Sequence, residues 1–458
     1  MAHGDGRETA PLLARSRRVT ALPRDARTPA FRAAVAAEDA PLVAWTDPGG
    51  PTIVGSGAAT TLSATGPERF ETLRDGADAL FDRLDFDGPS LARPRLLGGA
   101  AFDEPAPGDP WAGFPSAYLL LPRIQVVSHD GETWLTLVES TETGDEGDRP
   151  DAALDLETTA AALEEVADRR REATAGGEGD GHRGPGIDAV THDPPRSDWE
   201  ADVAAAVERI EEGDLEKVVL AGALVADLSG PLDVHDVLDR LGERYPDCYR
   251  FAVDPGTGPR FFGATPELLV ERDGRAVRTT ALAGSAERAA DPERDRALAA
   301  ALRDSEKRRR EHALVVEAVR DRLAPHLESV EVGERSVRTL ATVQHLQTPV
   351  RGELAGETHA LGLADALHPT PAVGGLPPDE ARAVIRDTER FDRGWYAGPV
   401  GWVDAEGDGS FAVAIRSALA HDERATLFAG NGIVADADPA EEWAELQLKY
   451  RPVLDELG

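Results

Sequence analysis

The sequence predicts an α+β fold, and three observations lead there. Apolar strand runs come in hairpins, long amphipathic helices separate them, and neither regular β-α alternation nor a fixed-period repeat is present. With 41% hydrophobic residues among 458, the chain can bury a large core and is not a disordered acidic tail. It is read as one large or two moderate domains.

The elements follow in order. The run ERFETLRDGADALFDRL has helical periodicity. After it, AYLLLPRIQVVSHDGETWLTLVEST reads as two strands around an Asp130-Gly131 turn. Residues 169–198 are rich in Gly, Pro and charge and nearly free of large apolar side chains. They are expected to form a solvated linker or surface excursion between an N-terminal portion, 1–168, and a region 199–458 that carries the chemistry. That region opens with an amphipathic helix, DWEADVAAAVERIEEGDL, and an apolar strand from Glu216 to Val225. RFFGATPELLVERDGRAVRTTALAG reads as strand, turn and strand, with Asp273-Gly274 as the hairpin signal. One long helix is expected from about Pro292 to about Leu323, then a hairpin in YAGPVGWVDAEGDGSFAVAIRSAL, and a closing helix from Pro439.

The charge balance excludes several partners. Asp and Glu number 84 against 49 Lys and Arg, a formal net charge of -35. Only three of the basic residues are lysines: Lys217, Lys307 and Lys449. Such a surface is expected of a cytoplasm rich in potassium salt, where screening tames its self-repulsion, and hence of a salt-loving source. It would repel nucleic acid. The single cysteine, Cys248, allows no internal disulfide, no apolar run approaches the ~18 residues of a membrane span, and the amino terminus lacks an apolar core for a signal peptide. A soluble cytoplasmic protein is expected.

A chain that discards lysine elsewhere keeps three for a reason. Arginine supplies charge equally well but cannot release its proton near neutral pH, whereas a desolvated lysine can. Lys217 opens the run VVLAGALV, at the rim of a buried strand. It is read as a general base, with a strand-end lysine paired to Glu216 as the alternative. Glu311 lies on the apolar stripe of its helix, beside Leu314, Val315 and Ala318. Burial of a carboxylate there calls for a cation, so Glu311 is either a metal ligand or the partner of Lys307 one turn earlier. On the last helix Glu442, Glu445 and Lys449 recur at spacings of three and four. Oxygen-only ligands of this kind suit Mg2+; a solvated Glu–Lys face is the other reading. AGNGIV brings backbone amides together at Gly430 and Gly432 and could receive a carboxylate. His345, His359 and His368 lack zinc-type spacing and are read as non-ligands, and KRRRE as local charge balance.

Taken together, EKVVLA, FFGATPELLV, ALAGSAER, SEKRRREHALVV, VQHLQTPVRG, LHPTPAVGG, FDRGWYAGPVGWVD, FAVAIRSAL, FAGNGIV and EEWAELQLK resemble the chorismate-utilising enzymes. Among these the isochorismate synthases are the most similar, and the resemblance runs from about Trp199 to Gly458. It implies a large fold of two packed β-sheets with helices outside and the site between them, completed by the N-terminal portion. It also implies a Mg2+-dependent, reversible conversion of chorismate to isochorismate; menaquinone supply is the favoured pathway, and the sequence does not separate it from siderophore synthesis. By the same resemblance Lys217 activates water for ring carbon 2, and Glu267 protonates the hydroxyl leaving ring carbon 4. Glu311 and Glu445 would hold Mg2+, with Glu442 nearby; Arg416, Tyr396 and the Gly430 backbone would grip the enolpyruvyl carboxylate. Gly284, His345, Ala372 and Lys449 would line the site.

Relatives that use ammonia usually lack lysine at the Lys217 position, and one class carries a nucleophilic lysine where this chain has Ala283. Water is therefore the expected nucleophile and no glutaminase subunit is expected. Salicylate synthases tend to carry threonine in place of Ala372 but share tyrosine at Tyr396, so salicylate synthase is the alternative activity, and a non-catalytic chorismate-binding relative is another. Asn431, Leu446 and Gln447 depart from the usual pattern. Chorismate is the expected partner, with neither nucleic acid nor membrane, and a monomer is favoured although the sequence does not set the oligomeric state.

Overall fold

The computed structural model of the protein describes residues 11–19, 41–105, 107–140, 155–175, 184–340 and 343–458. The front portion forms β1 (Leu12–Val19), β2 (Leu42–Thr46), β3 (Thr52–Ala64), helix α1 (Arg69–Phe81), β4 (Leu84–Phe86), β5 (Arg95–Ala100), and the hairpin β6 (Ala117–His129) and β7 (Glu132–Ser140). Asp130 and Gly131 both take positive φ, +47° and +79°, which matches the right-handed twist of the strands they join.

Helix α2 (Leu156–Ala175) and strand β8 (Ile187–Asp193) follow. The stretch 169–198, expected as a linker or excursion, therefore differs from that reading where it is described. It carries the end of α2 and then β8, whose outward side chains are largely exposed while its backbone pairs with the next strand from Ile187↔Leu228 to Asp193↔Ala223. A strand at a sheet edge can keep polar side chains because only its backbone needs a partner, which hides it from a hydropathy reading.

Region 199–458 supplies α3 (Arg196–Glu211), β9 (Lys217–Leu228), α4 (Val234–Arg244), β10 (Tyr249–Asp254), β11 (Arg260–Thr265), β12 (Leu268–Asp273) and β13 (Ala276–Glu287). Next come α5 (Pro292–Asp304), α6 (Glu306–Leu323), β14 (Leu327–Val332), β15 (Ser336–Thr339) and β16 (Val343–Leu354). The chain ends with α7 (Ala360–Leu367), β17 (Gly375–Leu376), α8 (Pro378–Thr388), β18 (Pro399–Asp404), β19 (Gly409–Val413), β20 (Ser417–His421), β21 (Arg424–Ile433) and α9 (Pro439–Leu454). The single helix expected over 292–323 is two. Ser305 is extended (φ -62°, ψ 116°) and its hydroxyl accepts the amide of Arg308, so it ends α5 and caps α6.

All described strands join one branched hydrogen-bonded network, rather than two separate sheets. β6 is the fork: β3 lies along one edge, and β5 and then β7 along the other. One limb runs β6–β3–β2–β10–β11–β20–β21–β9–β8, and the second β6–β5–β18–β19–β12–β13–β16. The front portion thus hydrogen-bonds into both limbs, β2 against β10 and β5 against β18. Trp111, Phe114, Phe261, Trp395 and Phe428 cluster in the core, with Trp111 stacked on Phe428 at 5.4 Å and Phe114 edge-on to Trp395 at 5.0 Å. Pairs of this kind add ~0.5–1.5 kcal/mol each to their area burial. Helices α6 and α9 pack on opposite limbs, α6 on β13 and β16 and α9 on β21.

Candidate active site

A cavity of about 150 Å³ opens where strands of both limbs meet helices α6 and α9. β9 brings Lys217 and β21 brings Gly430 from one limb; β13 brings Gly284 and β16 brings His345 from the other. Glu311 comes from α6, Glu442, Glu445 and Lys449 from α9, and Glu267, Ala372, Tyr396 and Arg416 from connections. All twelve side chains or backbones singled out in the sequence line this one cavity.

Enclosure moves the ionisations of Lys217 and Glu267 in opposite directions. Burial lowers the pKa of the Lys217 amine; the charges of Glu311 and Glu267 oppose this, and those of Lys449 and Arg308 add to it. Burial pushes the Glu267 carboxyl up to about 7, against the pull of Lys217 and Arg416. The cavity therefore pairs an amine that releases its proton more readily with a carboxyl that holds its proton longer.

Arg416 is 8% exposed and adopts φ +51°, a costly conformation for a side chain of its size. Its Nη2 donates to His345 Nε2 at 3.4 Å, while Nη1 is buried with no protein partner. Burial, Arg416 and Lys449 push the His345 ring down to about 3, so it is neutral. Its Nε2 accepts from Arg416, which leaves Nδ1–H to donate to Ser285 Oγ at 3.1 Å. Tyr396 is 3% exposed and stacks on Phe428 at 5.5 Å; burial raises its phenol, which stays protonated. A Cβ at position 430 would come 3.0 Å from the Tyr396 hydroxyl, so Gly430 lets that hydroxyl approach the β21 backbone. Gly284, with φ +75°, is the extra residue of a bulge in β13, where Ala283 pairs with Leu346 and Ser285 with His345. Ala372 sits in a turn closed by the amides of Val373 and Gly374 on the Thr370 carbonyl.

The carboxylates are partly engaged. Glu311 Oε2 accepts from Arg308 at 3.3 Å, whereas its Oε1 is buried without a partner. Glu445 pairs with Lys449 at 2.9 Å and is held below the usual carboxylate range chiefly by that ammonium. Burial, and then the Glu445 charge, push Glu442 up to about 7. Among the described residues no three His, Cys, Asp or Glu side chains form a closed ligand cluster. An orphaned Glu311 oxygen and two mutually repelling carboxylates nevertheless suit a hard divalent cation. Mg2+ keeps several waters and borrows substrate oxygens, so it does not require a complete protein cage.

Several neighbours were not legible beforehand. Lys307 does not meet Glu311; it pairs with Asp436, and Arg308 takes the Glu311 position. Within KRRRE, Arg308 is thus a partner of Glu311 at i,i+3 spacing rather than only local charge balance. Gly432 packs on Lys217, where an added Cβ would lie 2.7 Å from Lys217 Cε. The Glu389–Arg393 pair, both side chains 4% exposed, accepts the Ala221 amide and donates to the Val219 and Val373 carbonyls, so it ties β9 to the Ala372 turn. His359 caps α7 and His368 Nε2 bonds the Phe102 carbonyl.

A family model described as "Chorismate binding enzyme" matches residues 22–458. The "Salicylate biosynthesis isochorismate synthase" of Pseudomonas aeruginosa is 39% identical over 88% of this chain and 82% of its own length. "Isochorismate synthase MenF" of Bacillus subtilis is 35% identical over 81% of this chain and 76% of its own. The solved structure of the menaquinone-specific isochorismate synthase from Escherichia coli superposes with a TM-score of 0.78 at 26% identity, covering 98% of this chain and 95% of that one. A second, a putative 2,3-dihydroxybenzoate-specific isochorismate synthase from Bacillus anthracis, gives 0.73 at 30% identity. With a match that takes in nearly the whole chain, and with the site's geometry beside it, this protein belongs to the chorismate-binding enzymes.

Proposed function

We propose that the chain is an isochorismate synthase, and one observation carries the reading: Lys217 and Glu267 face one enclosed cavity with pKa values displaced in the directions a base and an acid need. Arg416, through its unpartnered Nη1, and the Tyr396 hydroxyl hold the enolpyruvyl carboxylate beside the Gly430 backbone. Neutral Lys217 takes a proton from water as the water oxygen bonds to ring carbon 2. Both ring double bonds shift, one after the other along the ring, the bond from ring carbon 4 to its hydroxyl breaks, and protonated Glu267 supplies the proton with which that hydroxyl leaves as water. One water enters and one departs, so the conversion is an isomerisation and runs in both directions. Lys217 ends protonated and Glu267 ionised, and exchange with solvent resets both.

Glu311, Glu445 and Glu442 would hold Mg2+, which supplies positive charge for the ring carboxylate when bound. A substrate with two carboxylates entering a protein of net charge -35 needs such a locally positive pocket. Menaquinone supply is supported by the names of the Bacillus subtilis and Escherichia coli relatives. The Pseudomonas aeruginosa relative, named for salicylate biosynthesis, supports delivery of isochorismate to salicylate as a second reading.

The deciding experiment incubates the protein with chorismate and Mg2+ in concentrated KCl and separates the products. Isochorismate in equilibrium with chorismate is expected. Salicylate with pyruvate would overturn the assignment in favour of a salicylate synthase, and no turnover would favour a chorismate-binding protein. A chelator should abolish the activity; unchanged turnover after chelation would remove the metal from the reading.

A further inference from the structure

Asn431 lies on β21 between Gly430 and Gly432, with no exposed surface. Its amide is used from both ends. Nδ2 donates to the Glu442 backbone carbonyl at 2.6 Å and to Glu442 Oε2 at 2.9 Å, while Oδ1 accepts from Lys449 Nζ at 2.9 Å. Lys449 spends its other two protons on the Gly430 carbonyl at 2.8 Å and Glu445 Oε1 at 2.9 Å. An ammonium has three N–H groups, so Lys449 is saturated by the protein.

The chemistry fixes the amide's orientation. A flipped Asn431 would set its oxygen against the Glu442 carboxylate and its NH2 against the Lys449 ammonium, replacing attractions with repulsions. With a small apolar residue at 431, Glu442 would lose its side-chain donor and Lys449 an acceptor. The freed ammonium would then be drawn to Glu442 and occupy, as a monovalent charge, the space a divalent cation needs. Buried polar groups of opposite sign do not stay unpaired next to one another.

We propose that Asn431 is a positioning residue for the divalent-cation site: it orients Glu442 and keeps Lys449 committed to Glu445 and the β21 backbone. The inference rests on the reading that Glu311, Glu442 and Glu445 hold Mg2+. Partners of metal ligands commonly control affinity by ~10–100-fold.

The test is calorimetric titration of MgCl2 into the full-length protein without chorismate, at fixed KCl. Wild type, Asn431→Ala, Glu442→Gln and the double variant are compared, each with its metal-free unfolding midpoint. Asn431→Ala is expected to bind Mg2+ at least ~10-fold more weakly. In the Glu442→Gln background the same change should add no more than about twofold, because its target is gone. Undiminished affinity in Asn431→Ala, or an equal loss with and without Glu442, overturns the inference. Should the alanine variant not fold, Asn431→Ser serves the same comparison. Wild type that binds no Mg2+ would instead remove the metal reading and this inference with it.

Discussion

In the proposed mechanism Lys217 and Glu267 act as a pair whose protonation states are opposite to those of the free side chains. Lys217→Ala is expected to lower kcat by ~10²–10⁴-fold, the usual worth of a positioned base. The wild-type rate should be bell-shaped in pH, with limbs that belong to the pair. In Lys217→Ala only the acid remains, so residual activity should fall as pH rises through about 7 or somewhat above, because the Lys217 charge that lowers Glu267 is gone. Residual activity that climbs with pH would exclude Glu267 as the acid. Gly432 offers a milder probe: its Cβ would displace the far end of Lys217, a flexible chain. Gly432→Ala should therefore leave the unfolding midpoint nearly unchanged and cost about 10²-fold in kcat, as a misplaced group does. An intact rate would show that the amine's position is not critical. At this scale Lys217 was legible through lysine scarcity and Glu311 through its place on an apolar stripe. The roles of Arg308 and Asn431, and the packing of Gly432 on Lys217, were not legible, because they come from contacts with side chains and backbone that only the fold brings near.

Among the elements, α9 bears the most on the site, since Glu442, Glu445 and Lys449 all ride on it. Asp438 caps it, accepting the amides of Ala440 and Glu441 at 2.9 Å each. Asp438→Ala should destabilise the protein by ~1 kcal/mol in urea unfolding, and Asp438→Asn by much less. Equal losses in both variants would mean that the charge, not the cap, stabilises the helix. The start of this helix is legible from Pro439, as is the hairpin turn from Asp130-Gly131. The break at Ser305 was not, because amphipathic periodicity continues through it and a serine with no Glu or Gln three residues later lacks the stronger capping signature. β8 escaped notice for a different reason: an exposed edge strand has no hydropathy signal.

The whole molecule carries a net charge of -35. Self-repulsion of such a surface would be screened in a salt-rich medium, where the screening length shrinks from ~10 Å at 0.1 M to ~3 Å at 1 M. Unfolding midpoint and activity should both rise as KCl increases over that range. Full folding and activity in salt-free buffer would show that the surface does not depend on such screening. No helix among the described residues is long and apolar enough to cross a membrane. The forked sheet also bears on dissection: β2–β10 and β5–β18 pairing means that removing residues 1–168 would open an edge in each limb.

The family and reaction class are legible in ten segments of the sequence, and resemblance to that family along those segments names the twelve positions that line one cavity. How their charges are partnered is set by the fold. Lys307 goes to Asp436, Arg308 to Glu311, and Lys449 to Glu445 under the direction of Asn431. The physical reason is that a carboxylate's partner is set by distance and burial across elements far apart in the chain. With 84 carboxylates to choose from, spacing alone cannot name it.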